Sequence, residues 1–384
     1  MGKRTPLYEI HRAYHGHMVE FGGWEMPIYY SGIIDEHETV RRDVGLFDIS
    51  HMGEIEVRGK GALVNLQKLL VSDIQPLCIS QVKYSTLCYP EGGVVDDVIL
   101  YCLEEDRFLL CVNASNTEKD YQWILQNLKE EAEAIDRSSE FAQLAIQGPK
   151  SFEVLQKLTP VNLRQIKYYW FVQGTVDGVQ AIISRTGYTG EDGFELYVDP
   201  QFAIQVWERL MAEGKCFGIK PIGLGARDIL RLEMAFPLYG HELDSTTTPL
   251  EAGLERLVDF RKGTFIGKEV LLQQKAEGLQ RKLVGFRMAR EGIPRAQYEI
   301  YKDGKKVGRV TSGTMSPSLR RGIGLGYVIV EEAWEGNEIF VIIRQKKIPA
   351  KIVKTPFYKR PLAQVHGITR GGAYGTICEE SQCH

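Results

Sequence analysis

Residues 89–101 read YPEGGVVDDVILY, and the organisation of the chain follows from what this stretch demands. Gly92 and Gly93 supply a tight turn between two strands, and the apolar residues that follow surround an acidic pair. Strict alternation puts Val95, Asp97, Ile99 and Tyr101 on one face, with Val94, Asp96, Val98 and Leu100 on the other. Asp96 and Asp97 therefore do not share a face. One carboxylate must enter a polar site, or bear the several kcal/mol that an unpaired buried charge costs. The residues alone leave open the alternative that both lie at a strand edge in water.

Outward from this hairpin, residues 53–147 carry strand patterns at 54–57, 83–89, 94–101 and 108–112, interleaved with helical patterns at 62–71 and 116–134. That predicts an α+β unit. Upstream, helical spacing at 6–19 and 34–44 flanks an aromatic loop at 22–30, and these fifty residues make no evident domain alone. Downstream come a helix at 150–158, strands at 168–173, 179–185 and 193–198, and helices at 201–213 and 225–234. After Arg281 nearly every segment is a short strand candidate punctuated by glycine, at 282–289, 299–303, 306–312, 325–330, 338–344 and 350–354. The last third predicts a β-sandwich or barrel. Residues 363–384 lack periodicity and are expected to form a mobile tail.

Composition excludes several classes. With 384 residues, 43% hydrophobic and 25% charged, the chain is ordinary globular material. At roughly 150 residues per domain it is long enough for two or three domains. Forty-seven basic against 50 acidic residues give a net charge of −3, so no nucleic-acid partner is expected. No apolar run approaches the ~18 residues of a membrane span, and the start MGKRTPLYEIH has no apolar signal core. No membrane partner is expected, and the expected compartment is the cytoplasm. Seven cysteines, with no CxxC, read as reduced thiols and not as a disulfide or zinc framework. Arg344, Lys346, Lys347, Lys351, Lys354, Lys359 and Arg360 crowd one stretch, either a solvated strand face or a dock for an acidic partner.

Two further constellations carry chemistry. In SRTGYTGEDGFELYV (184–198), glycines mark a looped turn before a strand whose alternation groups Glu195 with Tyr197, opposite Phe194, Leu196 and Val198. In GLGARDILRLE (223–233), Arg227 and Arg231 sit one helical turn apart. Neither this segment nor GIGLGY (322–327) completes GxGxxG, which argues against a dinucleotide fold. His11, His15 and His17 lie close together but without a metal-site context, and no metal is expected. No GxSxG or P-loop signature occurs.

Taken in order, KRTPLYEIH, FGGWEMPIYY, DISHMGE, GGVVDDVILY, NASNTEKDYQWI, AIQGPKS, SRTGYTGEDGFELYV, GLGARDILRLEMAFPLYGHELD and TTPLEAGL closely resemble the glycine cleavage system T-protein family. The resemblance runs from Lys3 to about Arg360. It implies a three-domain cloverleaf, α+β with a C-terminal β-barrel, around a folate-binding channel. The expected division joins 1–50 to 145–245 as a discontinuous α+β domain. A second α+β domain takes 51–144 with part of 246–278, and 279–362 form the barrel. The implied activity is aminomethyl transfer: the lipoylated H protein delivers an aminomethyl group, and its methylene passes to tetrahydrofolate, releasing ammonia and giving 5,10-methylenetetrahydrofolate.

Carried over residue by residue, the resemblance makes Asp97 the catalytic carboxylate, and Asp96 a structural neighbour. Glu195 and Arg227 match pterin contacts. Tyr84, Tyr101, Asn113, Tyr168, Tyr169, Tyr188 and Met52 match positions lining the folate. The chemistry is coherent, since a fixed anion orients a tetrahydrofolate nitrogen and stabilises the positive charge that develops as ammonia leaves. A carboxylate suits the pterin's N–H edge and a cation suits its carbonyl oxygen. H protein is typically acidic and cellular folates carry polyglutamate tails, which gives the basic stretch a second use. Related folate proteins compete for the assignment. Flavin-dependent oxidases would need a further domain, and the non-enzymatic folate-binding class has a Cys motif where this chain reads TFIGKE (264–269).

Overall fold

The computed structural model of the protein describes residues 2–129 and 131–360. Three sheets organise them. Five antiparallel strands lie in the order Val82–Cys88, Val94–Glu104, Arg107–Val112, Gly53–Arg58, Glu133–Asp136. Six more run Phe171–Val176, Val179–Ser184, Gly193–Val198, Ala142–Gln147, Gly45–Asp48, Lys220–Pro221. The six strands from Arg281–Met288 to Lys346–Val353 close into a barrel, so the α+β class with a C-terminal barrel is as expected.

Several elements differ from the sequence reading. The helix expected at 6–19 stops at Ala13, because His15 adopts a left-handed backbone (φ 57). The chain then forms a strand, His17–Phe21, paired with Trp24–Tyr29, so the aromatic loop is half of a hairpin. The helix expected at 116–134 spans Thr117–Asn127 and gives way to the strand Glu133–Asp136. Strands Gly45–Asp48 and Ala142–Gln147 were not expected; both are buried at every position, so they show no alternation to read. The division expected at 144/145 falls inside Ala142–Gln147, which pairs along its whole length with Gly193–Val198. The helix Lys268–Glu277 was also not expected. The expected tail, 363–384, lies outside the described residues.

Alternation also fails once beside the acidic pair. Leu87 pairs with Asp96 and Cys88 with Val94, leaving Val95 without a partner in a bulge. Val95 consequently joins Val98 and Leu100 in the core under this sheet, while Val94 packs with Leu243 and Ala252. The tight turn behaves as read: Gly92 takes φ +87, and a side chain on Gly93 would collide with the Ser245 carbonyl.

The first two sheets are stitched edge to edge. Val82 N–H donates to the Tyr169 carbonyl at 2.9 Å, and Phe171 N–H to the Ser80 carbonyl at 2.9 Å. The helix Leu224–Glu233 packs against the helix Ile33–Arg42, the strand Trp24–Tyr29 and the barrel strand Lys305–Ser316, and so ties the N-terminal elements to the barrel. Its entry depends on Gly223, where a Cβ would meet the Ile28 carbonyl at 2.5 Å.

Candidate functional site

A cavity of about 240 Å³ opens where the two open sheets meet the helix Leu224–Glu233. Asp97 reaches it from the strand Val94–Glu104, Glu195 from Gly193–Val198, and Arg227 from the helix. A larger groove of about 680 Å³ lies between the helix Ile33–Arg42 and the barrel. Its charged groups, Glu38, Asp228, Arg295 and Arg320, are at least partly solvated, whereas the smaller cavity holds buried ionisable groups. Chemistry favours the smaller one.

Asp97 is held from two sides. The Tyr84 hydroxyl donates to Oδ2 at 2.9 Å and the Asn113 amide donates to Oδ1 at 2.9 Å. Burial and the neighbouring Asp96 charge push its carboxyl up to about 7, against the pull of those two donors. Asp96 points away from the cavity and is fully buried. It accepts from the Asn113 N–H (2.9 Å) and from the side-chain amides of Asn113 (2.8 Å) and Asn116 (2.7 Å). One asparagine thus bonds both carboxylates, which fixes the geometry of the pair.

Glu195 accepts a hydrogen bond from the Thr186 hydroxyl. Burial raises its carboxyl, opposed by Thr186 and by the positive charge of Arg227. Arg227 has no hydrogen-bond or ion-pair partner among the described residues; its guanidinium lies 4.9 Å from the Tyr188 ring centroid. Burial lowers its pKa, and Tyr188 and Glu195 resist that. Tyr188 is fixed by donating to the Pro237 carbonyl and by stacking on Phe236 at 5.7 Å. A guanidinium that donates to no protein acceptor here can meet an acceptor-bearing ligand in this cavity.

Of the residues singled out in the sequence, Asp97, Glu195, Arg227, Tyr84, Asn113, Tyr169, Tyr188 and Met52 all line this cavity. Tyr169 does so with a left-handed backbone (φ 62), a conformation that costs a non-glycine residue energy. Two of the expected lining residues do not reach the wall. Tyr101 is completely buried behind it, accepting from the Tyr197 hydroxyl at 3.0 Å and packing edge-on against Phe171 at 5.5 Å. Tyr168 is 54% exposed outside it and touches Tyr169 ring to ring at 4.9 Å. Tyr101 shares Asp97's face, but alternation specifies a face and not a depth, and four residues further on that face is covered by the second sheet. His51 and Gln143 line the cavity and were not singled out. His51 stood in the quoted SHMGE, a polar residue at the junction of two strands, which was the available signal.

His11, in the histidine cluster, is a buried structural group: Nε2 lies 2.7 Å from Asp48 and Nδ1 2.8 Å from the Tyr30 hydroxyl. Among the described residues, no group of three or more His, Cys, Asp or Glu side chains could hold a metal ion.

Comparison with known proteins gives a consistent result. Residues 7–262 match the family described as GCVT N-terminal domain, and residues 281–359 match the Glycine cleavage T-protein C-terminal barrel domain. The aminomethyltransferase of Desulfitobacterium hafniense is 52% identical over 359 residues, covering 93% of this chain and 98% of the relative. That of Halothermothrix orenii is 49% identical over 355 residues, covering 92% and 99%. The crystal structure of glycine cleavage system aminomethyltransferase T from Bartonella henselae superposes with a TM-score of 0.88 at 34% identity, covering 94% of this chain and 99% of that one.

Proposed function

The chain belongs to the glycine cleavage T-protein family and is an aminomethyltransferase, and from that premise we propose that tetrahydrofolate enters the cavity among Asp97, Glu195 and Arg227 to receive a methylene group from lipoylated H protein. The observation that carries this reading is the unpaired Arg227 in one cavity with two carboxylates, Glu195 buried and Asp97 half-buried, both raised above their ordinary range. A pterin presents N–H donors along its amide and 2-amino edge, which Glu195 accepts, and a carbonyl oxygen, which Arg227 meets. Tyr169 and Tyr188 offer aromatic surface to a flat ring.

Asp97 then acts at the transferring carbon. The aminomethyl group arrives as S–CH2–NH2. Its carbon loses both sulfur and nitrogen and gains two bonds to folate nitrogens, while the two folate N–H hydrogens leave on the thiol and on ammonia. Positive charge builds on the carbon as its first bond breaks. An ionised Asp97, held by Tyr84 and Asn113, needs no reorganisation to stabilise that charge. Its pKa of about 7 also leaves it able to take a folate proton near neutral pH. The described cysteines Cys78, Cys88, Cys102, Cys111 and Cys216 are free thiols, which suits a reducing cytoplasm.

The test is to supply the protein with aminomethylated H protein and tetrahydrofolate and to follow methylenetetrahydrofolate and ammonia together. Equal yields of both support the reading. Folate binding with neither product would rule it out.

A further inference from the structure

His51 stands in the short connection between the strands Gly45–Asp48 and Gly53–Arg58, where the chain passes from the six-stranded sheet to the five-stranded one. It is 3% exposed and its ring lines the cavity. Phe21 packs edge-on against it, with centroids 5.8 Å apart and planes at 81°. Its Nδ1 is buried with no hydrogen-bond partner among the described residues. Such a group is uncommon in a folded protein and calls for an explanation.

The other buried histidines do not share this situation. Both ring nitrogens of His11 are engaged, by Asp48 and by Tyr30. His37, whose Nδ1 is also unpartnered, is anchored through Nε2 to Glu233 at 3.0 Å and lies outside the cavity. Burial and the Arg227 charge hold the His51 imidazole down at about 4, against the opposing Asp48 charge, so the ring is neutral near neutral pH. A neutral imidazole offers one donor and one acceptor, and no protein contact determines which nitrogen carries the proton.

Arg227, also without a hydrogen-bond partner among the described residues, supplies donors only. A guanidinium and a neutral imidazole lining one cavity complement a heteroaromatic edge on which carbonyl oxygen and ring nitrogen alternate. We propose that His51 is a positioning residue for the folate head group, its imidazole turning about Cβ–Cγ as the ligand enters and taking the missing hydrogen bond from the pterin edge beside Arg227. The proposal rests on the folate reading of the cavity. It adds a polar contact that fixes the ring's orientation in its plane, which Tyr169 and Tyr188 cannot do by stacking.

The experiment uses the full chain with tetrahydrofolate and aminomethylated H protein. His51→Phe keeps the ring packed on Phe21 and removes both nitrogens. The tetrahydrofolate KM is expected to rise about tenfold, the worth of roughly one hydrogen bond, with the H-protein KM unchanged. His51→Gln, which restores a donor and an acceptor, should recover part of the loss. A second measurement needs no variant to fold: the His51 imidazole proton resonances of the wild type should shift on adding tetrahydrofolate. An unchanged folate KM in a folded His51→Phe, or imidazole resonances indifferent to folate, overturns the role of His51 while leaving the function intact. A wild type that binds no tetrahydrofolate overturns the function reading, and this proposal with it.

Discussion

Arg227 and Arg231 lie one turn apart on the same helix and do opposite things. Arg231 is 1% exposed and donates to Glu242 (2.8 Å), Asp228 (2.8 Å), Ser312 (2.9 Å) and the Phe236 carbonyl (3.1 Å), which ties the helix to the barrel. Burial alone would lower its pKa, but its carboxylate partners more than offset this and raise it. Arg227 has no such partner, and burial lowers its pKa. On the same helix, Glu233 repeats the first pattern. It accepts from His37, Arg41, Ser316 and Ser318, and these contacts outweigh its burial and hold its carboxyl down at about 2. Fully paired buried charges hold this structure together. Arg227, His51 and the raised Asp97 line one cavity, where a ligand can supply what they lack; Glu54 and Asp120, whose carboxyls burial also raises, lie outside it.

The contrast breaks most visibly if the two arginines respond alike to substitution. Arg231→Ala leaves the buried Glu242 carboxylate without its cation, bonded to the Thr311 hydroxyl and the Leu238 N–H, and is expected to lower unfolding stability by about 3–5 kcal/mol in denaturant titration. Arg227→Met should leave stability unchanged or slightly higher, because a desolvated cation is removed, while tetrahydrofolate KM rises about ten- to a hundredfold. Equal destabilisation by both would refute the distinction.

The pH dependence sharpens the same comparison. Asp97 must ionise to act, so kcat/KM should climb with pH through about 7 in the free enzyme. Stability moves the other way. A carboxyl near 3.8 when unfolded and about 7 when folded leaves the native state holding the extra proton between those values. Unfolding stability contributed by this group therefore falls as pH rises from about 4 to about 7, and is flat above. Asp97→Asn should lack that slope in denaturant titrations across the range.

A smaller effect is expected at Tyr84. Its hydroxyl favours the ionised carboxylate, so Tyr84→Phe should move the kcat/KM midpoint upward and lower the rate near neutral pH about tenfold. The smallest concerns the barrel strand Lys346–Val353, whose Lys346, Lys347 and Lys351 are exposed. Neutralising these should raise the H-protein KM a few-fold at low salt and have little effect at high salt. An unchanged KM at both salt concentrations would remove this strand from partner docking.

Much of this was legible in the sequence, for identifiable reasons. Short strands punctuated by glycine pointed to an all-β last third, sandwich or barrel, with the barrel implied by the resemblance, and two carboxylates in an apolar strand drew attention to the acidic pair. What the sequence obscured depended on tertiary placement. The bulge at Val95 reverses a side chain that alternation puts beside Asp97. The strands Gly45–Asp48 and Ala142–Gln147 are buried on both faces and carry no period. Tyr101 has the expected face but lies too deep, and Tyr168 points outside the cavity. Spacing could not divide the labour between Arg227 and Arg231, since both are the same residue on one helix and only their partners differ; the family resemblance alone singled out Arg227.

The most direct test of the central claim compares the wild type with Asp97→Asn, measuring tetrahydrofolate binding and methylenetetrahydrofolate formation on the same preparation. Asparagine keeps the shape and removes the charge. The expected result is a loss of turnover of about 10²–10³-fold with folate binding retained. Turnover within a few-fold of the wild type would contradict the account, because the charge on Asp97 would then not be what stabilises the transferring carbon.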